Sequence, residues 1–91
     1  MNNPFVHEQA AKFAARLMSE VSDDEARIER AFLLAFARPP SGEEREQSKN
    51  YLVQAGEQLR RDGIPTESLS GRTWESFARA LLMASEFVYV N

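Results

Sequence analysis

Apolar side chains recur along most of this chain at spacings of three and four, the period of a helix packed on one side. Val6, Ala10, Phe13, Leu17 and Val21 form the first such stripe, with Lys12, Arg16 and Glu20 on the opposite side. Asn3 and Pro4 supply its start signal: a side-chain acceptor at the cap, then a residue whose missing N–H is not needed in the first turn. Ile28, Ala31, Phe32 and Ala35 form a second stripe. It follows Ser22-Asp23-Asp24-Glu25, which reads as a capping box with its acids where the helix dipole favours them. This second helix runs into Ala31-Phe32-Leu33-Leu34-Ala35-Phe36-Ala37, apolar all the way round, and is therefore predicted to be covered on several sides and the most buried of the set. Arg38-Pro39-Pro40 ends it, because the residue before a proline is pushed out of helical geometry.

Ser41-Gly42-Glu43-Glu44 is a second capping box and opens a third helix. Its apolar positions are Tyr51, Leu52, Ala55 and Leu59, and Asp62-Gly63 reads as its carboxyl-terminal cap. The stretch 64–72 is rich in Pro, Ser, Thr and Gly and predicts a surface loop. Thr73 then caps a fourth helix in which Trp74, Phe77, Ala78, Leu81, Leu82 and Ser85 share a face. Phe87-Val88-Tyr89-Val90 changes to a strand-like composition and reads as the last turn of that helix followed by a short extended tail. The expected fold is all-α: helices near 4–21, 23–37, 42–61 and 73–88. Short connections favour antiparallel neighbours, so the packing expected is a small up-down bundle of four helices.

Composition narrows the function classes. Ninety-one residues make a single helical domain, 1–91, with a thin core. With no cysteine there is no disulfide, thiolate metal site or cysteine nucleophile. The net charge is −3, and nine arginines and two lysines are scattered among fourteen carboxylates. A nucleic-acid footprint needs a clustered basic face, so no nucleic-acid partner is expected. The longest apolar run, Ala31 to Ala37, falls far short of the ~20 residues that span a bilayer, so no membrane insertion is expected. No signal peptide is read at Met1-Asn2-Asn3-Pro4.

Few residues carry candidate chemistry. His7 is the lone histidine; the position four residues on, where a zinc protease would need its second, is Ala11. Glu43, Glu44 and Glu46, like Asp23, Asp24 and Glu25, sit in first turns where negative charge stabilises the helix, and neither cluster has the spacing of a calcium loop. Serines 68, 70, 76 and 85 lack a nucleophile elbow. No catalytic, cofactor-binding or metal-binding residue is predicted. Arg38, at a rigid turn after an apolar helix, is predicted to pair with a carboxylate and fix the turn rather than to bind a ligand. Phe87, Val88, Tyr89 and Val90, with the uncovered side of the second helix, are the predicted interaction surface, because an apolar tail must be covered by something.

Asn3-Pro4-Phe5-Val6-His7-Glu8-Gln9-Ala10, Arg27-Ile28-Glu29-Arg30-Ala31-Phe32, Arg38-Pro39-Pro40, Trp74 and Ser85-Glu86-Phe87-Val88-Tyr89-Val90 follow one another in a recognisable order. Together they resemble the carboxyl-terminal region of large planctomycete proteins built on a domain of unknown function, often accompanied by a planctomycete-type cytochrome c domain. The resemblance spans Asn3 to Val90. Where that family usually has Leu-Gly-Arg before its prolines, this chain has Phe36-Ala37-Arg38. Where the family usually ends in Asn-Ser-Asn-Glu-Phe-Leu-Tyr, it has Met83-Ala84-Ser85-Glu86-Phe87-Val88-Tyr89. The resemblance implies a carboxyl-terminal part of an exported, extracytoplasmic multidomain parent concerned with redox chemistry or polymer breakdown. Any haem would belong to that parent and not to this chain. Two functions are expected from it: a non-catalytic helical module packing on upstream domains or another protein, or an accessory part of an active site formed mainly upstream, to which this chain adds Arg38 or His7.

Overall fold

The computed structural model of the chain describes the backbone over 4–90 and side chains over 4–84. Four helices follow in order: α1 (Pro4–Glu20), α2 (Asp24–Phe36), α3 (Gly42–Arg61) and α4 (Thr66–Val90), with no strand among the described residues. The all-α fold of four helices expected from the periodicity is the fold observed.

Local chemistry sets the helix ends. The cap of α2 is Asp23 and not Ser22: the Asp23 side chain accepts the Ala26 N–H at 3.0 Å, and with alanine at the third helical position the reciprocal half of the box read at 22–25 does not form. The other end of α2 is Ala37, whose left-handed backbone (φ 58°, ψ 30°) turns the chain while its N–H donates to the Leu33 carbonyl. At the start of α3 the capping box forms as predicted. Glu44 N–H donates to Ser41 Oγ at 3.1 Å, and Ser41 N–H donates back to Glu44 Oε1 at 2.9 Å. Gly63, at φ 89°, carries the turn out of α3, a conformation glycine takes without a Cβ penalty.

Two expectations about the last third of the chain are overturned. The loop predicted over 64–72 is mostly helix: α4 begins at Thr66, directly after Pro65, whose carbonyl accepts the Ser68 N–H at 3.0 Å. Thr73 is therefore an interior residue, not a cap, and its hydroxyl donates to the Leu69 carbonyl one turn back at 2.7 Å. Leu69 and Thr73 extend the Phe77 stripe towards the amino terminus, and this burial outweighs the turn-like composition around them. The short extended tail expected after the last turn of this helix is helical backbone as far as Val90 instead, since no glycine or proline follows Gly71 to stop α4.

Within the four-helix bundle the contacts are unevenly shared. α4 is the hub: it lies against α1 and α3 along much of its length and also touches α2. α1 with α2, and α2 with α3, meet only sparsely, and α1 and α3 do not meet. Ala10 and Ala14 of α1 and Ala78 of α4 are buried, small residues where the closest helix pair packs. Trp74 stacks edge-on against Phe77 with ring centroids 5.5 Å apart, both buried among Leu17, Ile28 and Phe32.

α2 is consequently covered on one side and not on several. Its inner face, Ile28, Ala31, Phe32 and Ala35, is buried, but Leu33 is 44% and Leu34 39% exposed. Successive residues of a helix lie about 100° apart, so a one-sided stripe at 28, 31, 32 and 35 turns 33 and 34 outwards. With the hub position taken by α4, nothing in the described fold covers that outer side.

Candidate interaction surface

Arg38 is held by its own corner. It pairs with Glu44 through two parallel bonds, Nη1 to Oε1 at 2.7 Å and Nη2 to Oε2 at 2.9 Å, and Nη1 also donates to the Pro39 carbonyl at 3.2 Å. Its guanidinium stands 5.6 Å from the Phe36 ring centroid and 6.0 Å from that of Phe32. The Arg38 bond, aided by the Ser41 backbone N–H, holds the Glu44 carboxyl well below the usual range, at about 2. One carboxylate thus completes a helix cap and clamps the arginine that precedes the prolines. This is the turn-fixing role predicted for Arg38, built from donors and acceptors already spent on each other.

His7 lies elsewhere, in a cleft between α1, the end of α3 and α4 lined also by Leu59, Arg72, Glu75, Ser76 and Arg79. Arg79 Nη1 is 3.4 Å from His7 Nδ1. On the cleft wall the Tyr51 and Ser76 hydroxyls are 2.6 Å apart and Tyr51 also donates to the Ser76 carbonyl, tying α3 to α4. Arg38 is not part of this cleft, so the two residues considered for an accessory active site are not brought together.

The acids go to structural tasks. Glu25 pairs with Lys49 at 2.9 Å and Glu29 with Arg45 at 3.0 Å, joining α2 to α3; Glu20 reaches Arg30 at 3.3 Å, joining α1 to α2. Among the described residues no three His, Asp or Glu side chains gather as a metal site would require.

Of the predicted interaction surface, the side chains of Phe87, Val88, Tyr89 and Val90 lie outside the described residues. The other half, the uncovered side of α2, is present. Leu34 contributes to a groove between α1, α2 and α4 with Phe13, Ala35 and Leu82, and Gln9, Lys12 and Arg16 stand around it. The arrangement offers apolar contact area with long polar side chains at its border. Among the described residues no helix is long and apolar enough to cross a membrane.

One structural residue had no distinguishing signal in the sequence. Arg27, one of nine arginines, is nearly enclosed: its Nε donates to the Val21 carbonyl at the α1–α2 link, and its guanidinium lies 5.7 Å from the Trp74 ring centroid. Only the packing of α4 beneath it gives the position its meaning.

No curated protein and no solved structure matches the chain. The model of the family described as PSD1, protein of unknown function (DUF1553), matches residues 1–52, which run through α1, α2 and the first half of α3; the chain belongs to that family.

Proposed function

We propose that this chain is a non-catalytic helical module of a larger, exported protein, and that it works by packing on a neighbouring domain of that parent. The observation that carries the reading is the outer side of α2, where Leu33 and Leu34 are exposed side by side and Leu34 opens onto the groove with Phe13 and Leu82. A contiguous apolar surface on a small domain is a cost in water that contact with a partner removes. Any redox group of the parent, haem included, belongs to its other domains, because this chain has no cysteine and one histidine.

The test compares the 91-residue chain with the same chain joined to its native upstream region. The joined protein is expected to melt at a higher temperature, and the Leu33 and Leu34 methyl groups to become protected from solvent. Leu34→Lys should leave the isolated chain within about 0.5 kcal/mol of its original stability, as for other surface changes, and remove the gain on joining. Equal melting temperatures with and without the upstream region would overturn the proposal.

A second reading, an accessory part of an upstream active site, has one observation in its favour: His7 shares a cleft with Glu75 and Arg79. Arg38 takes no part in it, being clamped to Glu44 at the α2–α3 corner.

A further inference from the structure

Among the described residues, seven of the eleven cationic side chains sit in ion pairs with carboxylates. Among the described side chains the four without such a pair are Arg60, Arg61, Arg72 and Arg79, and two of these, Arg72 and Arg79, line one cleft together with His7. In a chain whose net charge is −3, half of that unspent positive charge therefore lines one concave place. Residues seven apart on a helix lie on the same side, about 10 Å apart along the axis, so the guanidinium groups of Arg72 and Arg79 can approach one ligand from its two ends. Arg79 is already aimed inwards, with Nη1 3.4 Å from His7 Nδ1. It does so although Glu75, one turn before it on α4, is the natural partner for an arginine four residues on. Neither arginine has an ion pair with Glu75.

We infer that this cleft binds a small oxyanion, a carboxylate or phosphate group held between Arg72 and Arg79 with His7 beside it. Arginine suits the task because its planar fork matches two oxygens of such a group at once. The wall is firm, since Ser76 is held by the Tyr51 hydroxyl of α3. Glu75 limits the charge the cleft accepts: two arginines against one carboxylate leave a net positive charge of one from these three side chains. A singly charged group fits that balance better than a polyanion.

The experiment titrates the isotopically labelled 91-residue chain with inorganic phosphate and, separately, with acetate, at constant ionic strength against a chloride control, following the arginine Nε–Hε and His7 ring resonances by NMR. Saturable shifts confined to Arg72, Arg79 and His7 are expected. Saturation by phosphate alone assigns the site to phosphoryl groups, and saturation by acetate as well extends it to carboxylates; either upholds the inference. Arg72→Gln, at an exposed position that leaves the fold intact, should weaken binding about fivefold, the worth of one charge at contact distance in water. Glu75→Gln should strengthen it by a similar factor. Shifts that rise linearly and match the chloride control, or an Arg72→Gln variant that binds as tightly as the original chain, would overturn the site.

Discussion

Ala37 holds a left-handed backbone without being a glycine. A Cβ in that region crowds the following carbonyl at a cost of roughly 1–2 kcal/mol, which is why helices so commonly end on glycine there. The position is the one where the resembled family usually has glycine, so what looks in sequence like a change of one small residue for another is a change in backbone cost. Ala37→Gly should stabilise the chain by about 0.5–1 kcal/mol, once the greater freedom of glycine in the unfolded state is deducted from the relief. A urea midpoint that fails to rise would show that the cap is not under strain. One residue further on, Arg38 and Glu44 form the clamp, and its pH behaviour follows from the direction of the shift. Glu44 is held at about 2, below its ordinary 4.5, so its stabilising contribution is complete above pH 4.5 and is lost as the pH falls towards 2. The stability advantage of the original chain over Glu44→Gln should therefore be constant near neutrality, shrink below pH 4.5 and vanish around pH 2. Denaturation midpoints of the pair measured across that range check it; an advantage that persists unchanged at pH 2 would assign it to something other than the ionised carboxylate.

At the level of elements, α1, α2 and α3 were legible because each opens on local chemistry: proline after asparagine, aspartate at a cap, and the reciprocal Ser41–Glu44 bonds. The first seven residues of α4 were not, and the reason is physical. Pro65, Ser68, Ser70 and Gly71 have the composition of a turn, and what makes them helical is Leu69 and Thr73 packing inwards beside Trp74, which no local rule shows. That misreading had a consequence for the candidate site: with Arg72 assigned to a loop and Arg79 to a helix, their common face could not be seen. The helix also makes Gly71 a test. It lies in the interior of α4 with nothing within 4 Å of a Cβ built on it. Gly71→Ala should then raise stability by about 0.5–1 kcal/mol, the usual difference between the two residues within a helix. Were the segment a mobile loop, the gain would be absent and the helical circular-dichroism signal would not increase.

In the whole molecule, the sparse contact of α2 with its sequence neighbours and the central place of α4 explain both the exposed leucines and the form that unfolding should take. Cover on a second side of α2 would have buried Leu33 and Leu34 as well. The apolar run at 31–37 suggested that arrangement, but which helix takes the central place depends on contacts between segments far apart in the chain, here α4 against α1. Removing α4 from such a fold leaves α1 and α3 with no contact between them and α2 only sparsely touching either, so the helices without α4 keep no core. Unfolding should be a single transition, with total stability on the order of 5–9 kcal/mol for a domain of this size. Trp74, the sole tryptophan and buried at the centre, reports that core by fluorescence, while circular dichroism reports the helices. The two urea curves are expected to coincide. Ala78→Leu probes the same point, because Ala78 is fully buried on the hub helix and a larger side chain there has no room. It should cost about 1–3 kcal/mol by forcing the neighbouring helices apart. If α4 is the hub, the fluorescence and dichroism midpoints of this variant fall by the same amount. A loss confined to one probe would mean that part of the molecule holds together without α4.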